Sequence, residues 1–480
     1  MSKTFYITTT LPYVNADLHM GHALEFVRAD SIARYKKLSG FDVFFNTGTD
    51  EHGMKIFETA KEAGLSPKEF VDDAFKRFKE QVQSFGISDD VHYVRTTDER
   101  HEKSAQKFWQ KVLNNGFIYK KNYKTKYCVG CEEEKTESEL VDGKCAVHTN
   151  RELEIIDEEN YFFAFSKFQE KLLKFYEKNP EFVIPRFRYN EVISFVKNGL
   201  EDFSISRLKS KMPWGIPVPD DDEHVMYVWF DALTNYISTL DWGTEDEKDF
   251  DKYWKEGTPT QYCGKDNTRF QAIMWQAMLM AADVPNTYQI AVNGHITGEG
   301  GVKMSKSLGN IIDPKKVSAE YGADALRYFL LREVSSFEDS PFSEQRFKET
   351  YNANLANGLG NLVSRVMKMA EDNLGGPVEI SEWEDMQEFF DYLNKFEINK
   401  ACDFIWSKIG EMDKFIQESQ PFKVIKTDKE KGMEMIRELV VKLYSVARLL
   451  NPILPETSNK IKELIKQNKT PQKPLFARKD

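Results

Sequence analysis

Hydrophobic positions along this chain follow two different periods, and the change from one to the other divides it. Phe5–Thr10 is a β-branched and aromatic run that predicts a buried strand, broken by Leu11-Pro12-Tyr13-Val14-Asn15. From Ala23 to Leu38 the apolar side chains recur at helical spacing (Phe26, Val27, Ala29, Ile32, Ala33, Tyr35) and predict a helix. Val43–Thr47 predicts a second strand and Pro67–Phe85 another helix, so the first part alternates strand and helix in the manner of a doubly wound nucleotide-binding fold. The alternation stops near residue 118. Charged residues, a cysteine cluster and Pro213-Trp214-Gly215-Ile216-Pro217-Val218-Pro219 then suggest an inserted domain, with a return to the fold near Val225. Strand-like Gln261–Gly264 and Tyr288–Val292 complete the nucleotide-binding half, and Pro314–Arg332 reads as helical. After Phe347 the period is helical throughout. Leu355, Leu359, Leu362, Val366 and Met369 form one stripe, and Ile398, Cys402, Ile405, Ile409, Met412 and Ile416 form another. A third helix, Met433–Leu450, is stopped by Asn451-Pro452.

The expected fold class is therefore α/β: a doubly wound Rossmann-type domain split by an insertion that carries the cysteine cluster, followed by an α-helical bundle. The boundaries read as 1–117 for the first half-fold, 118–222 for the insertion and 223–294 for the second half-fold. A loop and connecting region at 295–348, the helical domain at 349–466 and a C-terminal peptide at 467–480 follow.

Composition narrows the class. With 480 residues the chain can hold two or three cored domains. It has no 18-residue apolar run, and no basic region followed by an apolar stretch at its start. Neither a membrane span nor a signal peptide is expected, and a cytoplasmic location is. The net charge of −11 argues against nonspecific coating of nucleic acid, although a local basic stripe still suits phosphate. Asn459–Asp480, with seven Lys or Arg against two acids, is such a stripe, or else a solvated basic tail.

Three groups of residues carry chemistry. His19-Met20-Gly21-His22 falls at the predicted strand–turn–helix junction, where unpaired N–H groups and the helix dipole attract phosphate. Gly21 lets a nucleotide lie against the backbone, and the two imidazoles can donate to phosphate oxygens. Far downstream, the tether Gly298-Glu299-Gly300-Gly301 precedes Lys303-Met304-Ser305-Lys306-Ser307. Two histidines at a helix start and two lysines on a glycine-rich loop are what binding a triphosphate and stabilising departing pyrophosphate require, which points to adenylate formation. The third group is Cys128-Val129-Gly130-Cys131 and Cys145-Ala146-Val147-His148, with thirteen residues between the pairs. That spacing suits tetrahedral Zn²⁺, and four protein ligands close the site, so the metal is expected to be structural. Cys263 and Cys402 read as small buried side chains.

With these motifs the chain resembles the class I aminoacyl-tRNA synthetases and, within them, the methionyl-tRNA synthetases. The resemblance extends to Thr10-Leu11-Pro12-Tyr13-Val14-Asn15, Thr47-Gly48-Thr49-Asp50-Glu51-His52-Gly53, Tyr227-Val228-Trp229-Phe230-Asp231-Ala232, Gly264-Lys265-Asp266 and Asn361-Leu362-Val363-Ser364-Arg365. These occur in the family's order over essentially the whole chain. The resemblance implies a methionine pocket of Leu11, Tyr13, Trp229, Ala232, Tyr236, Phe270, Gln271 and Trp275, with Asp50 holding the ammonium group. Aromatic walls suit a polarizable thioether, and one carboxylate pairs with the ammonium and places the substrate carboxylate for attack. It also implies that Glu25, Gly264 and Asp266 contact ATP together with His19, His22 and Lys306, that Mg²⁺ accompanies the ATP, and that His19, His22, Lys303 and Lys306 are the catalytic groups. Asn361, Arg365 and Phe422 would read anticodon bases of tRNA(Met), initiator and elongator alike. Two positions depart from the family: Gln271 stands where histidine is usual, and Phe422 where tryptophan is common.

Other readings fit less well. Synthetases for valine, isoleucine or leucine need a large editing insertion, because one methylene discriminates by only about 1–3 kcal/mol, whereas the zinc region accounts for most of the insertion here. An inactive RNA-binding relative would be expected to lack the histidines or lysines, and a general nucleotidyltransferase would not need the helical domain. The chain ends soon after that domain, so a monomer is expected.

Overall fold

The computed structural model describes residues 3–131, 133–135, 140–301, 312–380 and 386–480. The chain forms two compact units. The first comprises Met1–Asp17, Asp42–Glu80 and Asp90–Val292; the second comprises Leu18–Phe41, Gln81–Asp89 and Asn293–Asp480.

The first unit is built on a parallel sheet. Its strands β1 (Thr4–Thr9), β2 (Asp42–Thr49) and β3 (His92–Arg95) run outward to one side of β1. Thr258–Gly264, Gln289–Asn293 and Val183–Ile184 follow in that order on the other side. The strands are buried on both faces, as in a sheet covered on both sides: Phe5 through Thr9 are all buried, as are Phe44 through Thr49. Gly48 is required by the pairing of β2 with β3, because a Cβ there would lie 1.8 Å from the Val94 carbonyl oxygen. The Val183–Ile184 strand, which joins the sheet beside Gln289–Asn293, comes from the stretch read as insertion; two residues are too short a run for periodicity to reveal. The rest of that stretch holds a long antiparallel pair, Ile118–Cys128 with Glu154–Phe163, two helices, and a small three-stranded sheet. One aromatic-rich core, with Phe108, Trp109, Phe230, Trp254 and Trp275 fully buried, underlies the sheet.

The second unit contains α1 (Met20–Leu38) and the C-terminal helices. Within it, α1 is tied down by buried charge. Arg28 donates from Nη1 to the Ser336 carbonyl at 2.9 Å and from Nη2 to those of Val334 and Ser335 at 3.1 and 2.7 Å. Asp30 accepts from Arg34, from the Ser88 backbone N–H and from Arg327. Pro314–Arg332 is not one helix. Gly322, with φ of 92°, ends Pro314–Tyr321; Ala323–Tyr328 follows and passes into a π-helical turn at Phe329–Glu333. Helices Asn361–Asn373, Gln387–Asn394, Ile398–Ser419, Lys429–Leu450 and Pro455–Gln467 make the bundle. The stripe from Leu355 to Val366 is buried as expected, but it continues through Met367 and Ala370 while Met369 is only half-buried, because a 3.6-residue period drifts away from a strict 4-3 spacing. The helix read from Met433 starts at Lys429, where Asp428 caps it through Lys431 N–H at 3.1 Å.

The C-terminal basic segment is not a solvated tail. Its first part belongs to the helix Pro455–Gln467, with Ile461 and Ile465 buried. Its last part lies along Tyr351–Gly360: Tyr351 Oη donates to the Ala477 carbonyl at 2.9 Å, Asn352 brackets Lys479, and Phe476 is buried. Among the described residues no helix is long and apolar enough to cross a membrane.

Candidate active site and metal centre

The carboxyl ends of three adjacent parallel strands in the first unit carry most of the expected pocket. Thr10–Tyr13 follows β1, Asp50 follows β2, and Gly264 closes the strand Thr258–Gly264. Strand order reverses between β1 and Thr258–Gly264, and this switch point is where open α/β sheets leave a crevice for ligands. The crevice is tied together across it: Asp50 N–H donates to the Pro12 carbonyl at 3.0 Å, Tyr13 and Asp50 form a parallel bridge, and Gln271 Nε2 donates to Thr10 Oγ1 at 2.9 Å.

The aromatic residues expected to wall it pack against one another. The Trp229 and Phe270 rings stack at 3.8 Å with planes 6° apart, and Tyr236 meets Trp275 edge-on at 5.9 Å. Tyr236 is anchored from behind, where Tyr6 Oη donates to its carbonyl at 2.9 Å. Leu11 and Ala232 are buried in the same unit. Trp229 Nε1, Gln271 Oε1 and Trp275 Nε1 are buried polar atoms with no hydrogen-bond partner among the described residues; in a crevice, such atoms are what a bound molecule or water satisfies. Glutamine at 271 thus uses its amide donor on Thr10 and keeps its acceptor for the interior, a split that a histidine ring would arrange differently. Gly264 lets the carboxylate of exposed Asp266 fold over it, since a Cβ would sit 2.7 Å from Oδ1.

A charged layer accompanies this crevice, built from residues to which sequence alone assigns no role. Asp231 lies between Trp229 and Ala232 on the helix Val228–Leu233 and is fully buried. His52 Nδ1 meets its Oδ2 at 2.7 Å, and His101 Nε2 meets its Oδ1 at 2.8 Å. Burial alone would raise the Asp231 carboxyl, but the two histidines hold it below its usual range. Burial would likewise depress the His52 imidazole, and Asp231 raises it instead. His52 and Asp231 stood inside quoted motifs and could have been marked as titratable residues there; His101 carried no signal.

In the second unit, His19 and His22 cap α1 reciprocally. His19 Nδ1 accepts from the N–H groups of Gly21 and His22 at 3.1 and 3.4 Å, and His22 Nδ1 accepts from the His19 N–H at 3.2 Å. The rings stack at 3.7 Å. An Nδ1 that accepts must keep its lone pair, so the proton of each neutral ring sits on Nε2. The helix thus begins at Met20, earlier than its apolar stripe, and two of its first N–H groups are satisfied by His19 instead of being left for an anion. A Cβ at Gly21 would lie 3.0 Å from the His19 ring, a contact that would press on the cap. Glu25 is buried on the same helix. The tether after Gly298 turns through Gly300 and Gly301, both at positive φ, while Lys303 and Lys306 lie outside the described residues. Asn361 and Arg365 share one face of Asn361–Asn373, and Arg365 Nη1 donates to Asp413 at 2.8 Å. Phe422 is 44% exposed, on the short helix Pro421–Thr427.

Cys128, Cys131, Cys145 and His148 do converge, with ligand atoms all within 4.8 Å of one another. Cys131 Sγ lies 3.5 Å from Cys145 Sγ and 3.2 Å from His148 Nδ1, and Cys128 Sγ lies 3.7 Å from His148 Nδ1. Zn–S bonds of about 2.3 Å set tetrahedral edges near 3.8 Å, so the spacing fits a single ion. Gly130 makes room for the imidazole, since a Cβ would fall 2.6 Å from the His148 ring.

Known proteins resemble this chain over most of its length. The family model described as tRNA synthetases class I (M) matches residues 5–152 and 130–367. A methionine–tRNA ligase of Caldanaerobacter subterraneus is 43% identical over 478 residues, 96% of this chain and 74% of that protein. One of Rickettsia bellii is 40% identical over 96% of this chain and 92% of its own. Among solved structures, Mycobacterium tuberculosis methionyl-tRNA synthetase in complex with methionyl-adenylate superposes with a TM-score of 0.90 at 37% identity, covering 97% of this chain and 94% of that one. On the matched motifs, the fold and these relatives, the chain belongs to the class I tRNA synthetases, in the family of the methionine–tRNA ligases.

Proposed function

We propose that the switch-point crevice binds methionine, and that the chain joins it to ATP to give methionyl-adenylate and pyrophosphate before passing the methionyl group to the 3′ end of tRNA(Met). The observation that carries this reading is the crevice itself: an aromatic slot with Asp50 at the end of the adjacent strand matches an apolar thioether bearing an ammonium group. In the first step a carboxylate oxygen of methionine bonds to the α-phosphorus as the bond to the β-phosphate oxygen breaks. Charge then grows on the phosphate oxygens. The Nε2–H groups of His19 and His22 are preset donors for it, because the reciprocal cap fixes both tautomers and ring planes before substrate arrives. Lys306, with Lys303, neutralises the leaving pyrophosphate; Glu25, Gly264 and Asp266 hold the nucleotide, and Mg²⁺ enters as the counter-ion of ATP. In the second step a hydroxyl of the terminal ribose attacks the acyl carbon and AMP leaves.

Cys128, Cys131, Cys145 and His148 would hold one Zn²⁺, and as four protein ligands they would leave it no position for water and make its part the stabilisation of the insertion. Asn361, Arg365 and Phe422 read the anticodon, an exposed ring and a guanidinium suiting unstacked bases. Amino-acid-dependent ATP–pyrophosphate exchange with each of the twenty amino acids tests the reading. Methionine should dominate, with leucine, isoleucine, valine and cysteine weak; equal exchange with leucine would overturn it.

A further inference from the structure

One carboxylate links three segments around the crevice. Asp231 stands on the helix that also carries Trp229 and Ala232, two residues of the expected methionine wall. His52, two residues beyond Asp50, is only 4% exposed in its side chain and meets Asp231 Oδ2 at 2.7 Å. His101, on the helix Glu99–Asn114, meets Oδ1 at 2.8 Å with both side chains 1% exposed. The far side of each histidine is also occupied: Ser238 Oγ lies 2.8 Å from His101 Nδ1, and Glu102 faces His52 Nε2 at 4.0 Å. The turn carrying Asp50 is held again from the insertion, where Trp214 Nε1 donates to the Glu51 carbonyl at 2.6 Å and the Trp214 carbonyl accepts from Gly53 N–H at 3.1 Å.

We propose that Asp231 is the positioning residue of the amino-acid site: held by His52 and His101, it fixes the wall helix that carries Trp229 and Ala232 in register with the turn that carries Asp50. The proposal rests on the reading that this crevice binds methionine. A purely apolar contact could supply cohesion there, but it would let the helix slide, because apolar packing is non-directional while two hydrogen bonds to one carboxylate define both distance and rotation. Burying a carboxylate is costly unless it is fully bonded, so its presence between wall and turn is explained by the geometry it enforces. Slot and ammonium anchor must hold one substrate at both ends, and a displacement of about 1 Å between them is enough to cost about a hundredfold in a reaction that depends on placement.

The test is Asp231→Asn in methionine-dependent ATP–pyrophosphate exchange. An amide keeps one acceptor oxygen but turns an NH₂ donor toward the other imidazole, which must switch tautomer to accept it, so one of the two holds is weakened while size is conserved. The expected result is a methionine KM raised at least tenfold, an ATP KM within twofold of the parent, and selectivity for methionine over leucine reduced at least fivefold. His52 supplies a second pair of variants. His52→Asn keeps a donor near the Nδ1 position and should hold the methionine KM within about threefold, whereas His52→Leu should raise it tenfold; this pair decides the matter where Asp231→Asn does not fold. A merely structural carboxylate would lower the folded fraction, hence the apparent kcat, and leave methionine KM and selectivity unchanged in every variant, which would overturn the proposal. Absence of methionine-dependent exchange in the parent chain would instead overturn the reading of the crevice, so the two failures are distinct.

Discussion

Asp30 and Arg327 pair at 2.7 Å with neither side chain exposed to solvent. Arg327 spends its other donors on the carbonyls of Ile453, Pro452 and Gly86, so one guanidinium joins α1, the end of Ala323–Tyr328 and the turn between Lys429–Leu450 and Pro455–Gln467. Removing one partner strands the other charge in a dry interior. Asp30→Asn should therefore destabilise the second unit by about 3–5 kcal/mol, read as a lowered urea midpoint. A loss below about 1 kcal/mol would mean that the pair is not a net constraint.

The same pair sets an acid limit. Burial would raise the Asp30 carboxyl, but Arg327 and Arg34 overcome that and hold it below its ordinary value. A depressed carboxylate contributes stability that is present above its unfolded pKa, about 4, and is lost as pH falls through the lower folded value. Acid unfolding of the parent should steepen below about pH 4, and Asp30→Asn should flatten that part of the curve. Parallel curves for the two proteins would refute the linkage.

For the metal centre, one zinc per chain is expected by elemental analysis, and Cys145→Ser should lose it. Removing a ligand from a closed site deprives the insertion of metal-linked folding energy, so protease cleavage between residues 118 and 160 should accelerate while adenylate formation persists. Full metal content in the variant would contradict the assignment.

Lys306→Ala should slow adenylate formation at least about a hundredfold with little change in methionine binding, because its charge is needed where the pyrophosphate departs. An unchanged rate with a raised methionine KM would exclude that role.

Arg365 is held by Asp413, which orients its guanidinium before any RNA binds. Arg365→Ala should weaken aminoacylation strongly and leave adenylate formation near that of the parent, with discrimination between anticodons reduced by about 1–3 kcal/mol. Asp413→Ala should reproduce a smaller part of the same loss, since the arginine remains but its orientation is freed. A uniform loss over all anticodons would mark a phosphate contact instead.

What the sequence determined by itself is whatever depends on near neighbours. The helical stripe at Ile398–Ile416, the strand–turn–helix junction at His19-Met20-Gly21-His22, and the two C-x₂ pairs of the metal centre all follow from local geometry that residue spacing encodes directly, whereas the cap that the two histidines form on each other's backbone was seen only in the structure. Helix starts such as Lys429 escaped it, since an exposed first turn has no apolar residue to mark it. The order of strands about the switch point and the partners of Asp231, Asp30 and Arg365 were decided only by tertiary structure. His52 and Asp231 are 179 positions apart, and Arg365 and Asp413 are 48 apart. A charged side chain at such a separation has many possible partners; for Asp231 and Asp30 burial selects them, because in a dry interior an unpaired charge is too costly to leave unmatched, whereas Arg365 and Asp413, both partly exposed, are simply brought within reach by the packing of the bundle.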